Sequence, residues 1–211
     1  MIYPVNNYQL DWRVDQVFGN PTSYGFHEGV DLNLKTGGDT DLGQEIKSVT
    51  EGTIMYFHYN SHPSTGFGRH IVYEIRGDWG VRWCMYSHCD ASGFQNQVQD
   101  VPEGRVIARL GKSGNSPTAH LHWSLFKVDP STIGGIDTIA KTQQQLNDWW
   151  EDPIAFVEKW MKPQECIITD QTKIPQIDGM EVQAIRSKLT DQENAIRLMS
   201  DRLAQIHSIS G

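Results

Sequence analysis

Several features are scarce or missing in this chain of 211 residues, and each one removes a class of protein. No run of about 18 apolar residues occurs, so the sequence predicts no membrane-spanning helix. Three cysteines without a repeated spacing do not form the framework of a disulfide-stapled scaffold. The net charge of -8 argues against a nucleic-acid-binding surface. The first 19 residues combine no basic segment with an apolar stretch, so we expect no secretory signal peptide.

Two short segments, far apart in the chain, contain the residue types of a catalytic zinc site. His27 and Asp31 share the parity of one strand face, and apolar Val30 has the opposite parity. His120 and His122 are likewise two residues apart. A hydrolytic zinc site uses three histidine or carboxylate ligands and leaves a fourth position for water. Any one of these histidines alone would be an ordinary hydrogen-bonded residue, but together they predict a metal site of His27, Asp31 and one histidine of the second pair.

The body of the chain has the pattern of β structure. Its strand-like segments are rich in Val, Ile, Tyr, Trp and Thr, and clusters of Gly, Asn, Asp, Ser and Pro separate them. We predict a mainly β fold, an antiparallel sheet with a substrate groove on one face, followed by C-terminal helices. A hairpin turn is expected at Asp78, Trp79 and Gly80. The predicted strands cover residues 46–59, 68–75, 81–88 and 120–128.

Strand parity also bears on the residues around His88. In a strand over 81–88, His88 has the parity of Tyr86, which would deliver its imidazole to a polar groove. Cys84 and Cys89 flank this histidine with opposite parity. We expect them to be buried thiols rather than a second metal site or a local disulfide.

Aromatic side chains are candidates for the rim of the groove, since rings offer a large contact area to a peptide or a glycan. We assign Tyr24, Tyr56 and Trp79 to this role as candidates, and Tyr59 and Phe67 also stand near the expected rim. Packing in the core explains aromatic residues equally well.

The C-terminal third divides into three parts. A helix near 152–162, starting at Asp152 and Pro153, is expected to pack on the sheet and to complete a catalytic domain of residues 1–165. Residues 166–181 have little periodic signal and are expected to be a linker. Residues 182–208 carry apolar side chains at heptad spacing, with Gln192 as a polar exception. This pattern predicts either a coiled coil that forms a homo-oligomer or docks in a virion through 182–206, or an amphipathic helix folded on its own domain.

Five landmarks follow one another along roughly residues 10 to 128. They are residues 13–19, 27–32, 49–54, 86–88 and 111–116, the last of them leading into 120–123. In residues, order and spacing they resemble the lysostaphin/LytM-type zinc metallopeptidases. Departures from the family pattern at 116–119 and at Trp123 concern loop shape and packing.

The resemblance implies a site and an activity. Its ligands would be His27, Asp31 and His122, holding one Zn²⁺ per chain, with His88 and His120 as catalytic histidines that are not ligands. The implied function is a zinc metalloendopeptidase that hydrolyses peptide bonds of bacterial peptidoglycan, in the stem or the cross-link. Two alternatives are a structural phage tail component or hydrolase-regulating module that keeps the fold for binding, and a carbohydrate-binding domain with incidental zinc.

The expected absence of a signal peptide bears on where such an enzyme would act. A cell-wall hydrolase without a signal could leave the host cytoplasm when a phage permeabilises the membrane, or arrive as part of a phage particle. We therefore expect a phage endolysin or a virion-associated lysin.

Overall fold

The computed structural model describes residues 1–58 and 66–161. The predicted linker, the predicted helix at 182–208 and the predicted domain boundary at 165 lie outside these residues, as do Tyr59 and Cys166. The described helices are α1 (Tyr8–Asp11), α2 (Gln143–Trp149) and α3 (Pro153–Trp160), with a 3₁₀ turn at Pro130–Ile133. The strands are β1 (Trp12–Gln16), β2 (Pro21–Thr22), β3 (Gly25–Phe26), β4 (Gly29–Leu34), β5 (Glu45–Lys47), β6 (Gly52–His58), β7 (His70–Gly77), β8 (Gly80–Ser87), β9 (Gln99–Val101), β10 (Val106–Arg109) and β11 (Leu121–Phe126).

Seven of the strands form one antiparallel sheet. Their order is β1-β4-β11-β8-β7-β6-β9, so the last strand, β11, lies between β4 and β8. The pairs β10-β5 and β2-β3 form two small sheets beside it. The prediction of a mainly β fold with an antiparallel sheet and C-terminal helices is confirmed.

The sheet is covered on both faces, because apolar side chains alternate along its central strands. Tyr73 and Tyr86 belong to the larger cluster of buried residues, whereas Val72 and Met85 belong to a second cluster. β-Branched and aromatic residues suit such a doubly covered sheet. The last residue pair of the β7–β8 hairpin is Gly77 with Gly80. The turn that follows this pair lies where the sequence predicts it, at 78–80.

The predicted helix start at Asp152 and Pro153 is where α3 begins. Asp152 accepts hydrogen bonds from the backbone N–H groups of Ile154 and Ala155, and Pro153 occupies the first turn, where its missing N–H costs nothing. Phe156 of α3 is buried in the larger cluster. Among the described helices, none combines the length and the apolar character needed to cross a membrane.

The predicted strand over 46–59 is divided in the structure into β5 and β6. Between them, Ser48 donates its backbone N–H to Arg105, and Val49 donates to the Tyr73 hydroxyl. These bonds replace the ladder bonds that a continuous strand would make. The apolar pattern alone does not reveal the turn, because Val49 is buried like its strand neighbours.

Both cysteines of the described region are buried free thiols, in agreement with the sequence interpretation. Burial raises the pKa of Cys84 to about 11, and Trp123 donates its indole N–H to the Cys84 sulfur at 3.1 Å. Burial also raises the pKa of Cys89. Both groups therefore stay protonated at neutral pH, which makes them unreactive.

Candidate metal centre

The pairing of β4 with β11 brings together side chains that are 91 positions apart in the sequence. Asp31 stands opposite His122 in the antiparallel register, on the same face of the sheet. The His122 Nδ1 atom lies 2.9 Å from Asp31 Oδ1. His27, which precedes β4, places its Nε2 atom 3.1 Å from His122 Nδ1 and 3.3 Å from Asp31 Oδ1. Three potential ligand atoms therefore converge at one point.

The spacing of these atoms suits a zinc ion. Tetrahedral zinc with bonds of about 2.0–2.1 Å to nitrogen and oxygen sets its ligand atoms about 3.3 Å apart. The three distances between the potential ligand atoms, 2.9, 3.1 and 3.3 Å, are close to that separation. Two imidazoles and one carboxylate are also a donor set that zinc prefers. His27, Asp31 and His122 therefore fit the metal that the sequence pattern predicts for them.

The tautomer of His27 is set by a backbone group. Its Nδ1 atom lies 3.2 Å from the Val17 carbonyl oxygen, to which the Nδ1–H donates. This leaves the Nε2 lone pair directed at the centre, as is usual for a metal-binding histidine. Burial lowers the pKa of His27, but the hydrogen bond and the charge of Asp31 outweigh burial and raise it.

Asp31 is held as an anion. Burial alone would raise its pKa, but the hydrogen bonds and charges of His122 and His27 outweigh burial and lower it well below the usual range. The carboxylate is thus ionised at neutral pH and available to a cation.

His120 lies beside this centre, just before β11. Its Nδ1 atom lies 3.1 Å from the Thr118 carbonyl oxygen and 3.0 Å from the Ser116 hydroxyl. With the Nδ1–H donated to the carbonyl, Nε2 is free, and it lies 3.7 Å from Asp31 Oδ1. The second ring nitrogen of His120 therefore reaches the edge of the metal centre without joining the three converging atoms.

His88 reaches the groove by a different route from the one its strand parity predicts. Strand β8 ends at Ser87, and Tyr86 is fully buried in the core. The backbone of His88 has a φ of 60°, a left-handed conformation that is uncommon for a residue with a side chain. The prediction that His88 follows the parity of Tyr86 is therefore wrong, because a left-handed residue breaks the alternation.

The imidazole of His88 is fixed against the neighbouring loop. Its Nδ1–H donates to the Ser113 carbonyl oxygen at 2.8 Å, and its backbone N–H donates to Phe67 at 2.9 Å. Its ring centroid lies 4.6 Å from that of His120. Burial, together with the nearby His120 and His122, lowers the pKa of His88 to about 3. His88 is consequently a neutral imidazole at neutral pH.

Two glycines make this arrangement possible. Gly68 and Gly114 both have a positive φ, and their backbones lie against each other. A Cβ atom on Gly68 would lie 2.3 Å from the Ser113 carbonyl carbon, and one on Gly114 would lie 2.4 Å from the Gly68 nitrogen. Only glycine allows two backbones to approach so closely. The loop that carries Phe67 is thereby held against the loop that carries Ser113.

The centre lies in a groove of about 1040 Å³ whose lining includes the three predicted ligands and the two predicted catalytic histidines. Glu28 is also a lining residue, and burial raises its pKa. Among residues 1–58 and 66–161, the lining includes acidic side chains but no Lys or Arg. The described lining residues are Asp15, Gln16, Asn20, Tyr24, His27, Glu28, Asp31, Asn33, Gly66, Phe67, Gly68, His70, His88, Asn115, Pro117, Thr118, His120, His122, Asp137 and Ile139.

The three aromatic candidates have different positions. Tyr24 is half exposed and lines the groove. Tyr56 stacks on the ring of His70 with centroids 5.7 Å apart, but it is not itself among the described lining residues. Trp79 lies in the β7–β8 hairpin and packs edge-on against Phe156 and Trp160 of α3. The structure thus places Trp79 in the packing between hairpin and helix, because its large ring covers the apolar side of α3.

The sequence interpretation missed several residues that shape the site. The Ser113 hydroxyl accepts a hydrogen bond from the Arg69 backbone N–H and donates one to the carbonyl of Cys89, the residue that follows His88. Phe67 lies against His122 with ring centroids 5.2 Å apart. Glu28 stood within the first histidine segment, so its position was a signal that could have been used. Ser113 carried no such signal, since its role depends on how two loops pack. Phe67 was a candidate for the groove rim, but its contact with His122 depends on the same packing and was not predicted.

Comparisons with known proteins place the chain in a family. Residues 25–133 match the model of peptidase family M23. No curated protein matches the chain. Among solved structures, it is similar to the catalytic domain of EnpA, a prophage-encoded M23 protein from Enterococcus faecalis, with 23% identity and a TM-score of 0.46 over 68% of this chain and 89% of that one. The catalytic domain of the antimicrobial peptidase lysostaphin from Staphylococcus simulans gives 21% identity and a TM-score of 0.48 over 70% and 92%.

A zinc-containing peptidase from Vibrio cholerae gives 23% identity and a TM-score of 0.47 over 58% of this chain and 35% of that one. The family assignment does not depend on these structural likenesses. It depends on the sequence match over residues 25–133, which covers more than half of the chain and includes every residue of the metal centre. The chain belongs to peptidase family M23.

Proposed function

We propose that this protein is a zinc-dependent endopeptidase that hydrolyses peptide bonds in bacterial peptidoglycan, in the stem peptide or in the cross-link. The observation that carries the proposal is the convergence of His27, Asp31 and His122 beside two further histidines, in a groove open to a peptide. Membership of peptidase family M23 supports the reaction type.

The chain supplies the zinc ligands and the groups that handle protons. Bound zinc would polarise the scissile carbonyl and lower the pKa of water to about 7. Asp31, an anion, and the ring nitrogens His27 Nε2 and His122 Nδ1 would hold the ion. The hydrogen bond of His27 to Val17 keeps its ligand nitrogen free of a proton.

His88 and His120 are the catalytic histidines of the proposal. Each gives its Nδ1–H to a backbone carbonyl, that of Ser113 or of Thr118, and so keeps Nε2 for substrate and water. An imidazole nitrogen held in this way can accept a proton from attacking water. Once protonated, it can donate a hydrogen bond to the developing oxyanion or return the proton to the leaving amine. Because the two rings lie side by side, one can act at each end of the reacting bond.

The groove is suited to an extended peptide. Tyr24 offers an exposed ring at its rim, and the acidic lining, which includes Asp15 and Asp137, favours peptide N–H and amine groups. We include Tyr24 in the substrate groove. Tyr56 acts at most through His70, on which it stacks.

We further propose that the enzyme is a phage endolysin or a virion-associated lysin and that residues 182–206 form a homo-oligomer or dock in a virion. The support is the heptad spacing of apolar residues in that segment. Light scattering of the chain truncated before Ile177 tests the oligomer, which requires a smaller species after truncation. An unchanged mass per particle would contradict it.

The proposed activity is tested by digesting purified peptidoglycan with the zinc-loaded protein, with and without a chelator, and weighing the released fragments. We expect new amine ends that disappear with the chelator, and fragment masses that identify the bond. His88→Ala should abolish release, whereas Asp78→Ala, at an exposed hairpin position, should not. Binding to peptidoglycan without release would contradict the enzyme and favour the non-catalytic module.

A further inference from the structure

Four histidines surround the centre, and three of them are oriented in the same way. His27, His88 and His120 each have Nδ1 within hydrogen-bonding distance of a backbone carbonyl oxygen. His122 is reversed, since its Nδ1 joins the converging atoms. Its Nε2 atom is buried and has no hydrogen-bond partner among the described residues. The ligand that most needs a fixed tautomer therefore lacks the backbone acceptor that the other three have.

A buried carboxylate lines the same groove as this unpartnered nitrogen. Glu28 is only 3% exposed, and its Oε2 atom is buried with no hydrogen-bond partner in the described part of the chain. A buried carboxylate without a partner is costly, so one is expected to have a role. Glu28 lines the same groove as His122.

The pairing of β4 and β11 brings the residue that follows Glu28 against the ring of His122. Gly29, directly after Glu28, pairs with Ser124, two residues beyond His122. A Cβ atom on Gly29 would lie 3.0 Å from His122 Cε1, the ring carbon bonded to Nε2. The imidazole of His122 thus lies over Gly29.

We propose that Glu28 is a positioning residue of the metal centre: once zinc is bound, its carboxylate turns to accept a hydrogen bond from His122 Nε2–H, which the structure leaves without a partner, and so keeps the Nδ1 lone pair of His122 directed at the zinc. The inference rests on the zinc site of the proposed function. Carboxylate, histidine and zinc in series are a common arrangement in metal sites, where the carboxylate fixes the ring and strengthens the ligand.

Charge supports the same role. One ion of charge +2 held by Asp31 and two neutral imidazoles keeps a net positive charge in a mostly buried place. Among the described residues that line the groove, Glu28 is the carboxylate that is itself buried and adjacent to the ligands. An ionised Glu28 would balance the remaining charge, and no lining Lys or Arg competes for it in the described ranges.

The test compares zinc affinities of full-length variants, measured by competition with a chromophoric chelator. Glu28→Met keeps the length of the side chain and removes the acceptor, so we expect it to weaken zinc binding about 10- to 100-fold. Glu28→Gln keeps an acceptor oxygen and should recover part of this loss. The control Glu51→Met, at an exposed position, should bind zinc like the parent chain. Equal affinities of the parent chain and Glu28→Met would overturn the inference.

A second measurement does not depend on any variant folding. In ¹⁵N spectra of the zinc-loaded parent protein, we expect His122 to be protonated at Nε2, with a proton shifted downfield and slow to exchange. An Nε2 proton that exchanges as fast as that of a solvent-exposed histidine would overturn the inference. If the parent chain bound no zinc, the proposed function itself would fail, whereas normal zinc binding with an unchanged Glu28→Met would remove only the role of Glu28.

Discussion

The two sides of the metal centre are held in place by different kinds of structure. Asp31 and His122 stand opposite each other on paired strands, so the ladder of the sheet sets their distance. His88 stands at a left-handed residue after a strand end, and its position depends on contacts between two loops. The proposed ligands therefore lie on a rigid element, and one proposed catalytic histidine lies on packed loops. Metal binding and catalysis should accordingly respond to different substitutions.

The largest effect is expected on the strand side. Asp31→Ala removes the anionic ligand and leaves two imidazoles, so zinc should be lost and peptide hydrolysis should fall by about 10³-fold or more. Zinc content by elemental analysis and the rate of amine release measure the two effects. Asp78→Ala is the control for the loss of a carboxylate. A variant with full zinc content would contradict the ligand role of Asp31.

The next prediction distinguishes the loops that position His88 from the strands that position Asp31 and His122. Gly114→Ala inserts a methyl group 2.4 Å from the Gly68 nitrogen, so the loops must move apart and carry Ser113 and His88 with them. Displacement by about 1 Å costs about 10²-fold in rate. Zinc affinity should change little, because Asp31 and His122 lie on paired strands and His27 directly precedes β4. Gly66→Ala is the matched control, since Gly66 also has a positive φ but would meet nothing within 4 Å. Similar rates for the two variants would count against loop packing as the cause.

The buried His88 gives a pH dependence of stability. Its pKa is lowered from 6.5 to about 3, so between these values the unfolded chain binds a proton that the folded chain does not. Stability is then complete above about pH 6.5 and is lost as the pH falls, by about 2 kcal/mol at pH 5. The free energy of unfolding, measured by denaturant at about pH 8 and about pH 5 with a chelator present, should fall by about that much more in the parent chain than in His88→Gln.

The comparison with His88→Gln is needed because His27 acts in the opposite direction. Asp31 raises the pKa of His27, so its contribution is present at low pH and is lost as the pH rises through the raised value. The difference between parent and variant cancels this contribution. Identical pH profiles would show that His88 is not held as a neutral imidazole.

The smallest effect is expected from Ser113→Ala. The hydroxyl bonds the Arg69 N–H and the Cys89 carbonyl at 2.8 and 2.9 Å, and its loss leaves both groups unpaired. We expect a loss of about 1–3 kcal/mol in stability and about tenfold in rate, with zinc affinity retained. Thermal unfolding and kinetics measure these, and Ser131→Ala, at an exposed position, is the control. If Ser113→Ala lost zinc but kept its rate, Ser113 would support the metal ligands rather than the loops that position His88.

The same division explains how much of the site the sequence could reveal. His120 and His122 are two residues apart, and Asp31 alternates with apolar neighbours, so strand periodicity alone indicates which side chains share a face. His88 could be named only through the family resemblance, because a single left-handed residue leaves no periodic signal. Its predicted parity with Tyr86 was wrong for this reason.

Long-range packing accounts for the other differences in the fold. Trp79 looked like a rim residue because its neighbours form a turn, yet it packs against Phe156 of α3, which is far away in the sequence. The turn between β5 and β6 is stabilised by bonds to Arg105 and Tyr73, which no local pattern contains. Strands β4, β7, β8 and β11 and the start of α3 were predictable, since they depend on local alternation and on the Asp152 cap, whereas the short strands β1, β2, β3, β9 and β10 were not predicted.

The place of β11 in the sheet has a consequence for how the molecule folds. Within the described residues, β11 is the strand that joins the β1–β4 pair to β8 and the strands beyond it. That insertion requires contacts of high sequence separation, which form slowly because a long loop must close first. His122 lies on β11, so His27 and Asp31 cannot meet the third proposed ligand until β11 joins the sheet. Acquisition of the metal would then mark the closing of the sheet, and a chelator present during refolding would act on a late step, after β6, β7 and β8 have formed their hairpins.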